Sequence, residues 1–196
     1  MAKVKLTKNE LKSQKNQLKR FQRYLPTLQL KKQQLQMVIR QVEARIVEMQ
    51  EERKRVYDSL RSWIAVFGEE MPIDDLVSVK TVETSTGNIA GIDIPVFERV
   101  EFEDIPYDLY YFPLWVDAGV EAIKRLTAVD AEIQVLERQR DLLEDELRIT
   151  TQRVNLFEKV KIPETKENIR MIRIYLGDQQ TAAVVRGKIA KNKLGA

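Results

Sequence analysis

A single heptad frame runs for about nine repeats at the start of this 196-residue chain, and few folds can accommodate it. Stepping by seven from Val4 reaches Leu11, Leu18, Leu25, Lys32, Ile39, Ile46, Arg53, Leu60 and Phe67. Stepping from Thr7 reaches Gln14, Phe21, Leu28, Leu35, Val42, Met49, Val56 and Trp63. A 3.5-residue apolar period held that far predicts a helix packed along its length in a left-handed supercoil. Some sixty residues at 1.5 Å each make ~90 Å of helix, longer than a globular domain usually holds. "TKNE" at Thr7 to Glu10 has the form of a capping box for its first turn. Pro26 lies inside the frame, where it removes a backbone donor and crowds the preceding turn, so a bend is expected there.

The pattern stops at "FGEEMPIDD", where Gly68 can end the helix and Pro72 prevents it from resuming. From Leu76 to Val82 apolar and polar residues alternate. Turn-forming residues follow at Ser85, Thr86, Gly87 and Asn88, and then Ile89, Ile92, Ile94, Val96 and Phe97. This reads as a β-hairpin, with Gly91 and Pro95 marking a bulge or second bend. Tyr107, Tyr110, Tyr111, Phe112 and Trp115 crowd the next stretch, either to pack the hairpin base or to face a partner, since Tyr and Trp are favoured interface anchors.

A second helix is expected from Pro113, a residue suited to a first helical turn. Its seam runs Ala122, Leu126, Val129, Ile133, Leu136, Arg140, Leu143, Leu147, Thr150, Val154 and Phe157. The next stripe, Ile162, Ile169, Leu176 and Ala183, starts five residues after Phe157, and Pro163 lies at that slip.

Each stripe needs a partner, and the other is the one the chain supplies. The expected fold is therefore mainly α: a long antiparallel two-helix left-handed coiled coil with a hairpin-containing insertion. The organisation is 1–68 for the first helix, 69–112 for the insertion and 113–196 for the second helix. Pro26 and Pro163 should then fall within about two turns of each other as a shared bend. Arg53 and Arg140 are the odd seam residues, read as register-setting polar insertions or as making a partner-facing salt bridge.

Chemistry is sparse. The chain has no cysteine and no histidine, which removes thiolates and the commonest general base and metal ligand. "RGKIAK" contains Gly187-Lys188, but residue 182, where the earlier glycine of a P-loop would stand, is alanine and no Ser or Thr follows the lysine. Asp74-Asp75 and Glu101, Glu103 and Asp104 lack the spacing of a calcium loop and read as solvating charges. No catalytic residue, cofactor or metal is expected. No apolar run approaches the ~20 residues of a membrane span, and the first residues lack the apolar core of a signal peptide. The expected location is cytoplasmic. Charge, by contrast, is informative. Lys3 to Arg40 holds eleven Lys/Arg against Glu10, while Glu69 to Asp104 holds ten acids against Lys80 and Arg99. An antiparallel hairpin would set that basic start beside the basic end, opposite an acidic base.

"KLTKNELKSQKNQLKRFQRYLPTLQLKKQQLQ", "NIAGIDIPVFE" and "RVNLFEKVKIPETKENIRMIRIYLGDQQTAAVVRGKIAK" together resemble the family of V-type ATPase D subunits. The likeness spans nearly the whole chain, in the family's order. It implies a non-catalytic central rotor shaft, an antiparallel coiled coil that transmits torque between the catalytic ring of A and B subunits and the membrane rotor. ATP hydrolysis or synthesis would thereby couple to proton or sodium transport. The partners it implies are the A, B and F subunits and the linking one called d or C, with no nucleic acid and no membrane insertion, the chain being peripheral to the membrane. On that resemblance Lys5, Lys8, Lys12, Arg170, Arg173 and Arg186 are the regional choice for ring contacts. Pro26 and Pro163 are the bend points, and Leu11, Leu18, Leu25, Ile39, Ile46, Leu60, Leu136, Leu143, Leu147 and Val154 the seam. Two other readings share the architecture: a helical-hairpin stalk of an export ATPase, which has no evident need for "NIAGIDIPVFE", and a nucleic-acid-binding hairpin using the basic tip.

Overall fold

The computed structural model describes residues 4–61, 76–107, 110, 112–113 and 115–195. Helix α1 spans Lys8–Arg61 without a break at Pro26. Strands β1, Val79–Ile89, and β2, Ile92–Phe102, pair antiparallel. Helix α2, Val116–Asn155, passes through a six-residue π segment, Leu156–Lys161, into α3, Ile162–Leu194, for 79 continuous helical residues. The fold is therefore the expected one, mainly helical with an antiparallel hairpin between the helices. Trp63, Phe67, Gly68, Pro72, Asp74, Asp75 and Tyr111 lie outside the described residues, as does the expected end of the first helix. The chain forms two compact units, Gln33–Leu147 and Met1–Lys32 with Arg148–Ala196.

In the unit Gln33–Leu147 the heptad expectation holds almost residue for residue. Leu35, Ile39, Val42, Ile46 and Met49 of α1 are buried with Val129, Ile133, Leu136 and Leu143 of α2 in one cluster, with Leu147 packed against it. Val56 and Leu60 are also buried. Removing each such side chain from water is worth about 1.5–3 kcal/mol, so this seam dominates the unit's stability. Among the described residues three ion pairs link the helices: Arg45 with Glu132 at 2.9 Å, Arg53 with Asp130 at 3.1 Å, and Arg125 with Glu52. Arg45 pairs at 132, whereas Glu52 and Arg53, further along α1, pair at 125 and 130, earlier in α2, as antiparallel helices require. The hydrogen bond from Arg125 holds the Glu52 carboxyl below its ordinary range. Arg53, one of the two odd seam residues, thus bridges the helices. Arg140 instead binds Asp141, its neighbour on α2, at 2.9 Å.

The hairpin turns later than its turn-rich "STGN" suggested. Ile89 pairs with Ile92, and the two connecting residues, Ala90 and Gly91, both have positive φ, 54° and 81°. Two left-handed residues in a two-residue loop match the right-handed twist of the strands. Asn88 closes the loop by accepting from the Gly91 N–H at 3.2 Å and donating to Asp93 at 2.7 Å. Gly91 therefore belongs to the turn, Pro95 pairs opposite Thr86 within the ladder, and the register shifts lie elsewhere, at Val79/Thr81 and Glu83/Thr84. The turn is placed there because Ile94 is buried in the α1/α2 core and Ile89, Ala90 and Ile92 pack against it. Burial at the tip outweighs the better turn chemistry of Ser85–Asn88. A side chain at Gly91 would meet nothing within 4 Å, so Gly91→Ala isolates backbone strain. It should cost about 1–2 kcal/mol, seen as faster amide exchange in β1 and β2 while the helices keep their protection.

Around the strand bases, Tyr107, Phe112 and Trp115 pack against Leu76, Val116 and Val120. The Tyr107 hydroxyl donates to Asp117 at 2.6 Å, and that bond raises its pKa above the ordinary tyrosine value. Tyr110, by contrast, is 88% exposed. The aromatic cluster thus divides, with three residues packed at the base and one in solvent. Pro113 precedes α2 and accepts the Val116 N–H at 3.1 Å.

In the other unit the seam is thinner. Leu11, Leu18, Phe21, Leu25 and Leu28 are only half-buried, and Gln14 is the one seam residue of the α1 portion that is buried. The opposing strip is Thr150, Val154, Thr165, Ile169 and Ile172, with Phe157, Lys161 and Leu176 half-buried. This corrects the expected stripe: Ala183 is exposed and Ile162 is half-buried, while Thr165 and Ile172 carry the packing. The buried polar groups are satisfied locally. Gln14 donates to Glu10 at 2.8 Å, and the Thr165 hydroxyl to the Lys161 carbonyl at 2.6 Å. The Phe21 and Phe157 rings stack, with centroids 5.3 Å apart.

That stack fixes the level of the prolines. Pro26 is five residues beyond Phe21, and Pro163 is six beyond Phe157 on a helix running the other way. They therefore stand about three turns apart, on the order of 15 Å, on opposite sides of the stack. The expectation of a level within two turns is corrected.

Candidate subunit interface

α1 begins at Lys8, thirteen residues before Phe21, which sets its first turn opposite about Arg170, thirteen residues after Phe157. Thr7 caps that turn by accepting the Glu10 N–H at 3.2 Å. The Glu10 carboxylate, expected to reach back to the cap, accepts from Gln14 instead, so half of the capping box forms.

Beyond this level α3 continues for some twenty residues, ~30 Å of helix, past the start of α1. Its sequence favours helix over this stretch: "TAAVVRGKIAKNK" is rich in Ala, Lys and Arg, and Lys191 and Lys193 in the last turn favour the negative end of the helix dipole. From residue 177 to 195 every side chain except Ala182 is exposed. Val184 is 59% exposed and Ile189 51%. Val185, Ile174 and Tyr175 are exposed as well. The stretch combines these apolar residues with Arg186, Lys188, Lys191 and Lys193 against the single acid Asp178. An extended helix of this kind fits a surface that is both apolar and acidic.

The residues chosen from sequence all lie in this unit and are all exposed, but they are not equivalent. Lys5, Lys8 and Lys12 flank the start of α1. Arg170 is engaged by Glu167, with contacts of 2.8 and 2.9 Å, and this pair lowers the Glu167 pKa from its ordinary value. Arg186 belongs to the exposed extension of α3. Arg173 shares a groove with Lys15, Lys19 and Lys166, around Leu18 and Ile169. Those three lysines were not singled out from sequence. Their convergence depends on the helix register: positions 15 and 19 share a face of α1, and 166 and 173 share a face of α3, so the antiparallel pairing joins two basic stripes. Four cations in one groove repel one another, and an anionic surface set there would relieve that repulsion.

Among the described residues there is no cluster of three or more metal-ligating side chains and no helix long and apolar enough to cross a membrane. Glu101 is engaged by Arg99 and Lys80 on the hairpin. Arg99 also faces Glu83 across the strands at 2.7 Å and holds that carboxyl below its ordinary range.

Comparison with known proteins gives a consistent result. Residues 10–192 match the family model that describes the D subunit of ATP synthase. A protein from Borreliella burgdorferi, named as the D subunit of V-type ATP synthase, is 54% identical over 194 residues, covering 99% of this chain and 96% of the relative. Proteins of the same name from Chlamydia abortus and Chlamydia pneumoniae are 34% and 32% identical, each covering at least 97% of this chain and 93% of the relative.

Proposed function

Since the chain belongs to the family of ATP synthase D subunits, we propose that it is the central rotor shaft of a V-type ATP synthase. It has no catalytic group of its own and transmits torque between a ring of A and B subunits and the membrane rotor. The observation that carries this reading is the extension of α3 past α1, exposed, basic and studded with apolar residues. Such an end is suited to insertion into an enclosing, partly acidic ring. Lys5, Lys8, Lys12, Arg173 and Arg186 are placed to line its entry, and Arg170 acts with Glu167 already on it.

Coupling on this reading is mechanical. Interfaces of the ring open and close in turn as ATP is hydrolysed, and each change presses on a different side of the helix pair. The run of α3 past the start of α1 makes the tip asymmetric, so that the three interfaces meet different surfaces. The strongly packed α1/α2 seam keeps twist from dissipating before it reaches the linking d (or C) subunit, and exposed helix surface receives the F subunit. Rotation then drives proton or sodium transport, or runs in reverse during synthesis. The complex lies at the membrane face and this chain stays outside the bilayer.

The test is co-purification with separately produced A, B and F subunits, with photo-crosslinkers at Val184, Arg186 and Ile189. The expected result is a stoichiometric assembly in which these positions crosslink to A or B. A chain that binds RNA or DNA in a salt-sensitive way and fails to assemble would overturn the shaft reading.

A further inference from the structure

We propose that the π segment Leu156–Lys161, pinned on its far side by Pro163, is a compliant joint at which α3 twists about its own axis relative to the end of α2. The seam carries a surplus residue. From Val154 through Phe157, Lys161, Thr165, Ile169 and Ile172 to Leu176 there are six seam steps, and they use twenty-two residues where a heptad repeat uses twenty-one. The wide turn absorbs that residue: the Ile162 N–H donates to the Phe157 carbonyl, five positions back instead of four. Packing does not demand it, because a chain one residue shorter would keep the same faces together in plain α-helix.

Pro163 holds the wide turn in place. It has no N–H to give, and in a regular helix its ring would clash with the Lys159 carbonyl four positions back. A wide turn immediately before it moves that carbonyl aside. The surplus residue therefore cannot drift into α3 without restoring the clash. On the outer side the Thr165 hydroxyl, bonded to the Lys161 carbonyl, closes the segment.

Loose packing completes the joint. None of the six side chains is fully buried, and Leu156 and Val160 are almost half exposed. Thr150 and Val154 before it, and Thr165, Ile169 and Ile172 after it, are buried. Two clamped stretches thus flank one that is weakly held, and local motion concentrates where buried contacts are few. Facing it, α1 offers half-buried Leu18 and Phe21, so the opposite helix adds little restraint.

The absence of cysteine makes the test direct. Nitroxides on the Gln152→Cys/Met171→Cys double variant of the full chain report twist by pulsed electron paramagnetic resonance, in the same chain and in one with Lys159 deleted. The expected distance distribution is at least twofold wider with the wide turn than without it. Amides of residues 158–164 should exchange at least tenfold faster than those of 150–154 and 168–172, and the deletion should remove that difference. Equal widths together with uniform exchange would overturn the proposal. Should the deletion variant fail to fold, Pro163→Ala supplies the second reading. Unpinned, the surplus residue spreads and the distribution widens further, whereas an unchanged distribution would count against a pinned joint. These readouts concern the isolated chain, so they succeed or fail separately from the shaft reading.

Discussion

Leu143→Ala should lower the free energy of unfolding by about 2–5 kcal/mol. Leu143 is fully buried, in one cluster with Leu35, Ile39, Leu136 and their neighbours. The missing atoms would leave a cavity between two long helices that cannot collapse without breaking the register of the whole seam. Leu18 occupies the same kind of heptad position but is only half-buried. Leu18→Ala should therefore cost about 1 kcal/mol, in line with the smaller area it removes from water. Denaturant unfolding of the two variants beside the parent chain decides the matter. Equal losses would mean that the heptad position, and not the local packing, sets the energetics. A large loss at Leu143 alone would show that the seam is strong in the unit Gln33–Leu147 and weak around Leu18.

This contrast shows what the sequence can reveal. A heptad stripe states which face packs, and Leu35 to Leu60 and Val129 to Val154 pack on that face. It does not state how tightly, because the depth of burial at Leu11 or Leu25 depends on what the opposing helix places there, and the opposing strip includes threonines. The π segment was half legible. The five-residue slip after Phe157 marks the surplus residue, but a slip can be absorbed by a bend, a loop or a wide turn, and the choice rests on carbonyl positions around Pro163. The hairpin was legible as alternation, and its turn was misplaced because Ala90 is a poor left-handed residue that burial at the tip overrides. Gln139 was invisible altogether. It is buried within α2 and donates to the Pro95 carbonyl of the hairpin, so its role depends on a strand far away in sequence. The four-cation groove was hidden for the same reason, since each lysine alone looks like an ordinary solvated residue.

That groove carries the second large expectation. The combined variant Lys15→Glu, Lys19→Glu, Lys166→Glu and Arg173→Glu should retain its helicity, because all four side chains are exposed. On the shaft reading it should lose assembly with the A and B subunits by at least a hundredfold. Reversing a charge that meets an acidic surface exchanges attraction for repulsion, and four reversals need contribute only about 0.7 kcal/mol each to reach that factor, since ~1.4 kcal/mol is tenfold. Arg170→Glu supplies the discriminating comparison. Its guanidinium is already neutralised by Glu167, so its field at the ring is weak and its reversal should matter less than Arg173→Glu alone. Affinity measured at two salt concentrations separates the possible causes. A loss that shrinks as salt rises belongs to the field of the groove, and a loss indifferent to salt would mean that the exposed apolar face of α3, with Val184 and Ile189, holds the partner instead.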